Sequence, residues 1–117
     1  MSSRAEREAR GRRGEWLAAW YLRLTGWRIL AQRIKTPRGE VDLIARRGTL
    51  VAFVEVKWRA NAADLDLAID DHRLRRVAAA AEVLALRYVR PGDDMRLDVL
   101  LLAPGRIPRH LQNVWMP

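Results

Sequence analysis

Residues 38–58 read RGEVDLIARRGTLVAFVEVKW, and this stretch decides the fold. It contains two apolar runs, 41–45 and 50–56, separated by residues 46–49, which include a glycine. Glycine can adopt the positive φ that tight hairpin turns require, and short apolar runs on either side of such a turn are typical of strands. The stretch therefore predicts a β-hairpin.

The hairpin gathers charged side chains. Because side chains alternate between the two faces of a strand, Glu40 and Asp42 share one face of the first strand. For the same reason, Glu55 and Lys57 share one face of the second strand. A turn centred on residues 47 and 48 would place Glu40 opposite Glu55, with Asp42 on a diagonal to it. In this register two carboxylates and an ammonium group converge, whereas a slip of one residue would move the acids to opposite faces.

This set of side chains has the chemistry of a metal-dependent nuclease site. Carboxylates crowded in a partly buried strand repel each other and lose hydration, so they usually acquire a metal ion or a basic partner. Oxygen ligands favour Mg²⁺ or Mn²⁺, which polarises a phosphate oxygen and lowers the pKa of a bound water. Lys57 could orient that water or stabilise charge on the phosphate. The alternative is a solvated ion pair between Glu55 and Lys57 on an open strand face.

These motifs resemble those of a known family. The segments GEVDLIA at 39–45 and FVEVK at 53–57 look like the signature of the YraN-like family of uncharacterised bacterial proteins. That family resembles the restriction-endonuclease-like superfamily, which carries the PD-(D/E)xK motif, and within it the archaeal Holliday-junction resolvases. The resemblance covers most of the chain, and the further matching residues are Gly14, Glu15, Ala18, Tyr21, Leu22, Gly26, Trp27, Arg96, Leu97, Asp98, Val99, His110 and Asn113.

The resemblance implies a role for each residue of the motif. Asp42 and Glu55 would bind the metal, and Lys57 would be the catalytic lysine. Glu15 of the first helix would be an additional catalytic acid and metal ligand, and the main-chain carbonyl of Val56 would face the metal. The implied fold is an α/β restriction-endonuclease-like core, in which a mixed β-sheet is flanked by α-helices.

One position departs from the family pattern. Members often carry a lysine in the second helix, where this chain has Arg73. Arginine stays protonated, so a phosphate contact would survive this change better than a proton transfer would.

The composition favours one basic domain. Its 117 residues are near the commonest domain size and half are hydrophobic, so we expect one domain over 1–117, with a basic start at 1–13 and a tail at 104–117. The net charge of +8 and the pI of about 11.3 favour a polyanionic partner, with nucleic acid, and DNA in particular, as the leading candidate. Ribosome-associated proteins and binders of anionic membranes share such a charge. The candidate phosphate-binding residues are Arg12, Arg13, Arg38, Arg59, Arg73 and Arg76.

Several function classes are excluded or disfavoured. The sequence has no cysteine, which excludes disulfides, thiolate metal sites and cysteine catalysis and fits a reducing cytoplasm. Its N-terminus is charged where a signal peptide needs an apolar core, and no apolar run approaches the roughly 20 residues that span a bilayer. We therefore expect a cytoplasmic protein without a membrane partner.

The first helix is predicted over about residues 4–25, with Ser3 as its cap and Gly26 as its stop. One face carries Glu15, and the residues that share this face are Ala18, Ala19 and Leu22. Small alanines would let the helix approach a sheet and deliver Glu15 to its edge, the alternative being an ordinary surface glutamate. A second, broad apolar face contains Trp16, Leu17, Trp20, Tyr21 and Leu24.

The remaining elements follow from periodicity and turn residues. The pattern predicts a strand at 27–34, a turn at 36–39, a loop at 58–64, a helix at 74–88, a turn at 91–94, a strand at 96–103 and a short edge strand in the tail. Trp58 could stack on an unpaired base, but a structural anchor is the favoured interpretation. Asp98 lies in an apolar run and needs a partner, for which we favour an arginine. His110 is interpreted as a hydrogen-bonding tail residue rather than a metal ligand.

Three functional hypotheses result. The first is a Mg²⁺- or Mn²⁺-dependent nuclease acting on DNA. Branched or structured DNA is suggested by the resemblance alone, and cutting a symmetric junction would favour a homodimer. The second is a non-catalytic nucleic-acid-binding protein, or a subunit of a DNA-processing assembly. The third is a basic adaptor that binds another protein through exposed tryptophans.

Overall fold

The computed structural model describes residues 4–59 and 71–115, with side chains from residue 12 in the first segment and from residue 72 in the second. The elements are helix α1 (Arg4–Leu24), strands β1 (Arg28–Thr36), β2 (Gly39–Arg47) and β3 (Leu50–Trp58), helix α2 (Asp71–Tyr88), and strands β4 (Asp94–Leu102) and β5 (Arg109–Leu111). The predicted order of helices and strands is confirmed, and the short edge strand expected in the tail is β5.

The five strands form one mixed sheet in the order β1-β2-β3-β4-β5. β3 and β4 run parallel, and the other neighbours are antiparallel. A parallel pair needs a long crossover connection, and α2 lies within that connection. β3 is the central strand and pairs on both sides, so the part of the predicted motif that it carries is held rigidly. The predicted α/β class with a mixed sheet is confirmed.

A helix covers each face of the sheet. α1 reaches one face through small or fully buried residues, which are Ala18, Ala19 and Leu22. α2 covers the other face through Val77, Ala80, Ala81 and Leu84. The alanines allow close approach, as predicted, and the result is a three-layer domain core. Neither of these two helices, which are the helices of the described ranges, has the length and apolarity needed to cross a membrane.

α1 ends where the sequence predicts. Gly26 has a φ of 97°, a conformation that glycine adopts without steric penalty at the end of a helix. The main-chain N–H of Trp27 donates to the carbonyl of Leu22 at 2.9 Å, and the Thr25 hydroxyl donates to the carbonyl of Tyr21 at 3.0 Å. These bonds satisfy carbonyls of the last turn. The predicted cap, Ser3, lies outside the described residues.

The predicted register of the β2–β3 hairpin is wrong by two residues. Arg47 pairs with Leu50, so the turn is formed by residues 48 and 49 rather than 47 and 48. Gly48 has a φ of 63°, and hairpin turns that match the right-handed twist of the strands need a positive φ at this first turn position. Because the error is an even number, every side chain keeps its face. Extension of the observed register places Asp42, rather than Glu40, opposite Glu55.

The predicted loop at 58–64 is only partly within the described residues. Trp58 belongs to β3, is partly buried, and packs on the core beneath α1. Its ring also lies 3.8 Å from where a Cβ would sit on Gly14 of α1. The structural interpretation of Trp58 is therefore confirmed, and residues 60–70 lie outside the described part of the chain.

A buried acid fastens the end of the chain to β4. Asp98 is fully buried, and Arg96 donates to its Oδ2 at 2.9 Å. His110 Nε2 lies 2.7 Å from the same oxygen, and the main-chain N–H of Asn113 donates to Oδ1 at 2.9 Å. The predicted arginine salt bridge and the predicted hydrogen-bonding role of His110 are both confirmed. The network holds β5 and the residues after it.

Gly39 allows α2 to lie directly on the start of β2. A Cβ at this position would collide with the main-chain oxygen of Arg76, at a separation that real Cβ atoms do not show. The neighbouring atom belongs to a helix backbone, so it cannot rotate away. Position 39 therefore sets the distance between α2 and the sheet.

We expect Gly39→Ala to destabilise the protein by about 1–3 kcal/mol, because α2 must move outward or β2 must bend. Urea unfolding followed by circular dichroism measures this change. Gly14→Ala is the matched control, since a Cβ there would make only ordinary contacts at 3.8 Å inside a helix and would raise helix propensity. Equal stability of the two variants would show that α2 yields easily at this point.

Candidate active site

The candidate site lies where β2 separates from β3. The pairing of the two strands ends with Leu43 opposite Val54. Just beyond this pair, the Oδ2 atom of Asp42 accepts a hydrogen bond of 2.8 Å from the main-chain N–H of Val56. The side chain of Asp42 thus accepts a hydrogen bond that a main-chain carbonyl of a paired strand would otherwise accept. This bond fixes the carboxylate of Asp42 against β3, beside Glu55.

Glu55 is buried between two cationic side chains. It is 2% exposed, and its Oε1 atom accepts a hydrogen bond of 2.5 Å from Nε of Arg73 on α2. Lys57 Nζ lies 3.7 Å from the same oxygen. The sequence predicted Glu55 and Lys57 on one strand face, and the structure places them there. It also adds the contact with Arg73, which the sequence did not predict.

Burial controls the charges of the site. Burial, and after it the Glu55 carboxylate, raise the pKa of Asp42 to about 7 against the opposing effect of the Val56 hydrogen bond. Burial also lowers the pKa of Lys57, and the nearby Arg73 guanidinium lowers it in the same direction. The Asp42 carboxyl of the metal-free protein is therefore partly protonated near neutral pH. An additional cation at this position would restore its charge.

α1 brings Glu15 to the edge of the sheet, as its spacing with the buried alanines predicted. Its side chain is 13% exposed and pairs with Arg33 of β1 at 3.1 Å. Burial raises the pKa of Glu15, Arg33 opposes this, and the charges of Glu40 and Glu55 raise it further. Glu15 is therefore within electrostatic range of the central acids. The alternative of an ordinary surface glutamate is not what the structure shows.

A cavity of about 280 Å³ opens beside Glu55, the one buried acid in its lining. It is lined by Glu40, Glu55, His72, Arg73, Arg76 and Val77. One wall is thus acidic and belongs to the hairpin, and the other is mainly basic and belongs to α2. His72 was not predicted to belong to the site. Its position next to Arg73 was the one signal in the sequence that could have indicated it. The cavity has the size and charge pattern to accept a phosphate group with part of a nucleotide.

The site offers oxygen atoms, the type of ligand that a hard divalent cation prefers, but it offers few of them. In residues 4–59 and 71–115, no group of three or more His, Cys, Asp or Glu side chains is arranged to hold a metal ion. Asp42 and Glu55 provide two carboxylates, and the carbonyl of Val56 is a neighbouring main-chain oxygen. Burial and the neighbouring Glu55 carboxylate raise the pKa of Asp42, and a bound cation would oppose both effects. The oxygen chemistry of the set therefore suits Mg²⁺ or Mn²⁺.

The six candidate phosphate-binding arginines are not gathered at one place. Arg73 and Arg76 line the cavity. Arg38 pairs with Glu82 at 3.2 Å on the surface, and Arg59 donates to the carbonyl of Trp58 at 3.0 Å. The remaining two, Arg12 and Arg13, are exposed on α1. The structure therefore brings two of the six to the site.

The fold has a counterpart among solved structures. The structure of Hjc from Archaeoglobus fulgidus, described as a Holliday junction resolvase from an archaeal hyperthermophile, matches with a TM-score of 0.61 and 17% sequence identity. The match covers 86% of this chain and 73% of that chain. At this identity, the likeness shows the fold. The protein therefore has an α/β restriction-endonuclease-like fold, as the sequence predicted.

The sequence relatives identify the family. A profile described as "Uncharacterised protein family UPF0102" matches residues 14–102, and the chain belongs to this family. The UPF0102 protein of Sphingopyxis alaskensis is 70% identical over 115 residues, which are 98% of this chain and 99% of that protein. The UPF0102 protein of Erythrobacter litoralis is 64% identical over 110 residues, which are 94% and 95% of the two chains. The predicted membership of an uncharacterised bacterial family is confirmed.

Proposed function

We propose that this protein is a metal-dependent nuclease that hydrolyses phosphodiester bonds in DNA. The observation that carries the proposal is the convergence of Asp42, Glu55 and Lys57 at the point where β2 leaves β3. The fold shared with an archaeal Holliday junction resolvase supports it. The basic wall formed by Arg73 and Arg76 supports a phosphate-containing substrate.

Each side chain has a role in this mechanism. Asp42 and Glu55 would hold Mg²⁺ or Mn²⁺, with the carbonyl of Val56 as a further oxygen donor, and Glu15 would act on the site through its charge. When bound, such an ion supplies polarisation of the phosphate and a more acidic water. Lys57 donates hydrogen bonds to the attacking water or to the developing negative charge on the phosphate.

The cavity arginines position the substrate. Arg73 and Arg76 bind phosphate oxygens at the α2 wall of the cavity. Arg73 must then divide its hydrogen bonds between Glu55 and the substrate, and a guanidinium has five N–H donors with which to do so. A branched substrate such as a four-way junction has two-fold symmetry and would call for two copies of the chain. Light scattering of the complex with a junction measures this stoichiometry.

Cleavage assays with the two lysines of the chain test the proposal. The sequence contains Lys35 and Lys57 as its only lysines, and Lys35 is exposed on β1. We expect Mg²⁺- or Mn²⁺-dependent cleavage of at least one member of a panel of single-stranded, duplex, flapped and four-way-junction DNA, with RNA included. Lys57→Met is expected to lower the rate at least about a hundredfold, and Lys35→Met is expected to leave it unchanged. Equal rates for both variants would assign the cleavage to a contaminant or to another site.

The second candidate is a non-catalytic nucleic-acid-binding protein or a subunit of a DNA-processing assembly. One observation favours it: Arg73 and Lys57 already neutralise Glu55, so the pair of acids is partly compensated without a metal. This candidate predicts salt-dependent binding that survives removal of Mg²⁺ and the Lys57→Met change. Such binding, with no cleavage of any panel member, would replace the nuclease proposal.

A further inference from the structure

The outer face of α1 carries exposed aromatic side chains that the sheet does not use. Trp16 is 60% exposed and Trp20 is 46% exposed, and Leu17 and Leu24 beside them are also exposed. These four residues follow the three- and four-residue spacing of one helical stripe, on the side of α1 away from the buried alanines. We call them the outer stripe. A tryptophan exposed to this extent leaves large apolar area in water, which marks a binding surface.

Arginines accompany the outer stripe. The guanidinium of Arg23 lies 5.3 Å from the ring centre of Trp20, a cation–π arrangement. Arg12 and Arg13, one turn before Trp16, are exposed. The single acid between residues 12 and 24 is Glu15, and it faces the sheet and pairs with Arg33. Over residues 12–24, the part of α1 whose side chains the structure describes, the surface is therefore aromatic and basic and carries no carboxylate.

The rings are arranged to accept planar groups. Trp16 and Trp20 meet edge to face, with their centres 6.3 Å apart and an angle of 67° between their planes. They do not stack on each other, so flat ring surface is left for another partner. Base–aromatic stacking beside phosphate-binding arginines is the usual chemistry of single-strand binding. Duplex DNA offers its phosphates but hides the faces of its bases, so it cannot use both parts of the surface.

A second copy of this chain fits the outer stripe less well. Self-pairing of α1 would bring the arginines of one copy against those of the other, and the stripe supplies no carboxylate to compensate. The protein as a whole carries a net charge of +8, which adds to that repulsion. Charge complementarity thus favours a polyanion.

We propose that the outer stripe binds unpaired nucleotides, with bases stacked on Trp16 and Trp20 and phosphates held by Arg12, Arg13 and Arg23. The inference rests on the proposed function for its choice of substrate and extends it to a single-stranded segment bound on the outside of α1. Trp16 follows Glu15 directly, and the two side chains point about 100° apart around the helix. Trp20, Leu17 and Leu24 lie still farther round from Glu15, so a strand bound on the outer stripe lies on the outside of α1, on the face opposite to Glu15.

Binding without metal tests the outer stripe separately from cleavage. The probes are a fluorescein-labelled 20-nucleotide thymidine strand and a blunt 20-base-pair duplex, titrated by fluorescence anisotropy in EDTA. We expect Trp16→Ala/Trp20→Ala to weaken binding of the single strand on the order of tenfold or more per tryptophan, and binding of the duplex less than twofold. Trp16→Phe/Trp20→Phe is expected to restore most of the affinity. Leu86→Ala is the control, since Leu86 is 92% exposed on α2 and outside the stripe.

Each outcome decides the inference. Equal affinity of the wild type and the double alanine variant for the single strand would overturn it. Equally effective competition by polyglutamate would also overturn it, because charge alone would then account for binding. A dimer that the double alanine variant converts into a monomer would assign the stripe to a second copy instead. If no panel DNA is cleaved but single-strand binding still depends on the tryptophans, the nuclease proposal fails and the stripe stands. If DNA is cleaved but single-strand binding does not depend on the tryptophans, the nuclease proposal stands and the proposal for the outer stripe fails.

Discussion

Glu55→Gln is expected to lower the rate of DNA cleavage on the order of a thousandfold or more. The amide keeps the shape of the side chain but loses the negative charge, so the site loses one of the two carboxylates proposed to hold the metal. The change also leaves Arg73 and Lys57 without their shared anion, 2.5 Å and 3.7 Å from one oxygen in the wild type. Both effects disturb the placement of the groups that must meet the phosphate.

Two measurements check this expectation. The cleavage rate is followed on the preferred panel substrate, and Mn²⁺ binding is followed by calorimetry, which does not depend on turnover. Glu82→Gln is the matched control, because Glu82 is also paired with an arginine but is exposed on the surface of α2. A Glu55→Gln variant that keeps more than a tenth of the wild-type rate, or binds Mn²⁺ equally well, would place the metal elsewhere.

Asp98→Ala is expected to cause the largest loss of stability, about 3–5 kcal/mol, a large part of the 5–15 kcal/mol typical of a domain. Removal of the carboxylate leaves Arg96 and His110 mostly buried without their anion. In the part of the chain described by the structure, Arg96 Nε is already buried without a hydrogen-bond partner, so the guanidinium has no ready substitute. Urea unfolding measures the loss, and exposed Asp94→Ala, on the same strand, is the control that should change stability little. A loss below about 1 kcal/mol would show that water replaces the carboxylate.

The same network predicts a dependence on pH. Burial alone would raise the pKa of Asp98, but the hydrogen bonds from His110, Asn113 and Arg96 outweigh it and hold the pKa below its ordinary value. A lowered folded-state pKa gives stability that is fully present above the unfolded value of about 3.9 and is lost as the pH falls through the folded value. The stability difference between the wild type and Asp98→Asn should therefore shrink below about pH 4. A constant difference from pH 6 to pH 2.5 would exclude this linkage.

The alternation of side chains made the central acids predictable. Glu55 and Lys57 share a face because a strand has a period of two, and this holds whatever the neighbouring strands do. The predicted buried position of Ala18 and Ala19 likewise followed from local helical spacing. The arginine partner of Asp98 could be predicted because a buried carboxylate needs one. These predictions rested on local geometry and on the free-energy cost of burying a charge.

The features that escaped prediction depend on distant parts of the chain. The turn has one glycine, and its place as first or second turn residue changes the register by two without changing any face, so patterning could not distinguish the two. Arg73 was predicted to touch phosphate, and its bond to Glu55 depends on how α2 crosses the sheet. The same crossing places the Arg76 main chain on Gly39 and brings His72 to the cavity wall.

The crossover between the parallel strands β3 and β4 also affects the order in which the protein folds. The hairpin carrying Asp42 and Glu55 is local and can form early, but Arg73 reaches Glu55 only when α2 packs on the sheet. Contacts between residues distant in sequence form late, because closing their loops is unfavourable before other contacts reward it. An emerging or partly folded chain therefore holds exposed acids and free arginines but no assembled cavity. We expect the cavity, and with it the proposed nuclease activity, to appear in one step with cooperative folding, so that an incomplete chain would not cleave DNA.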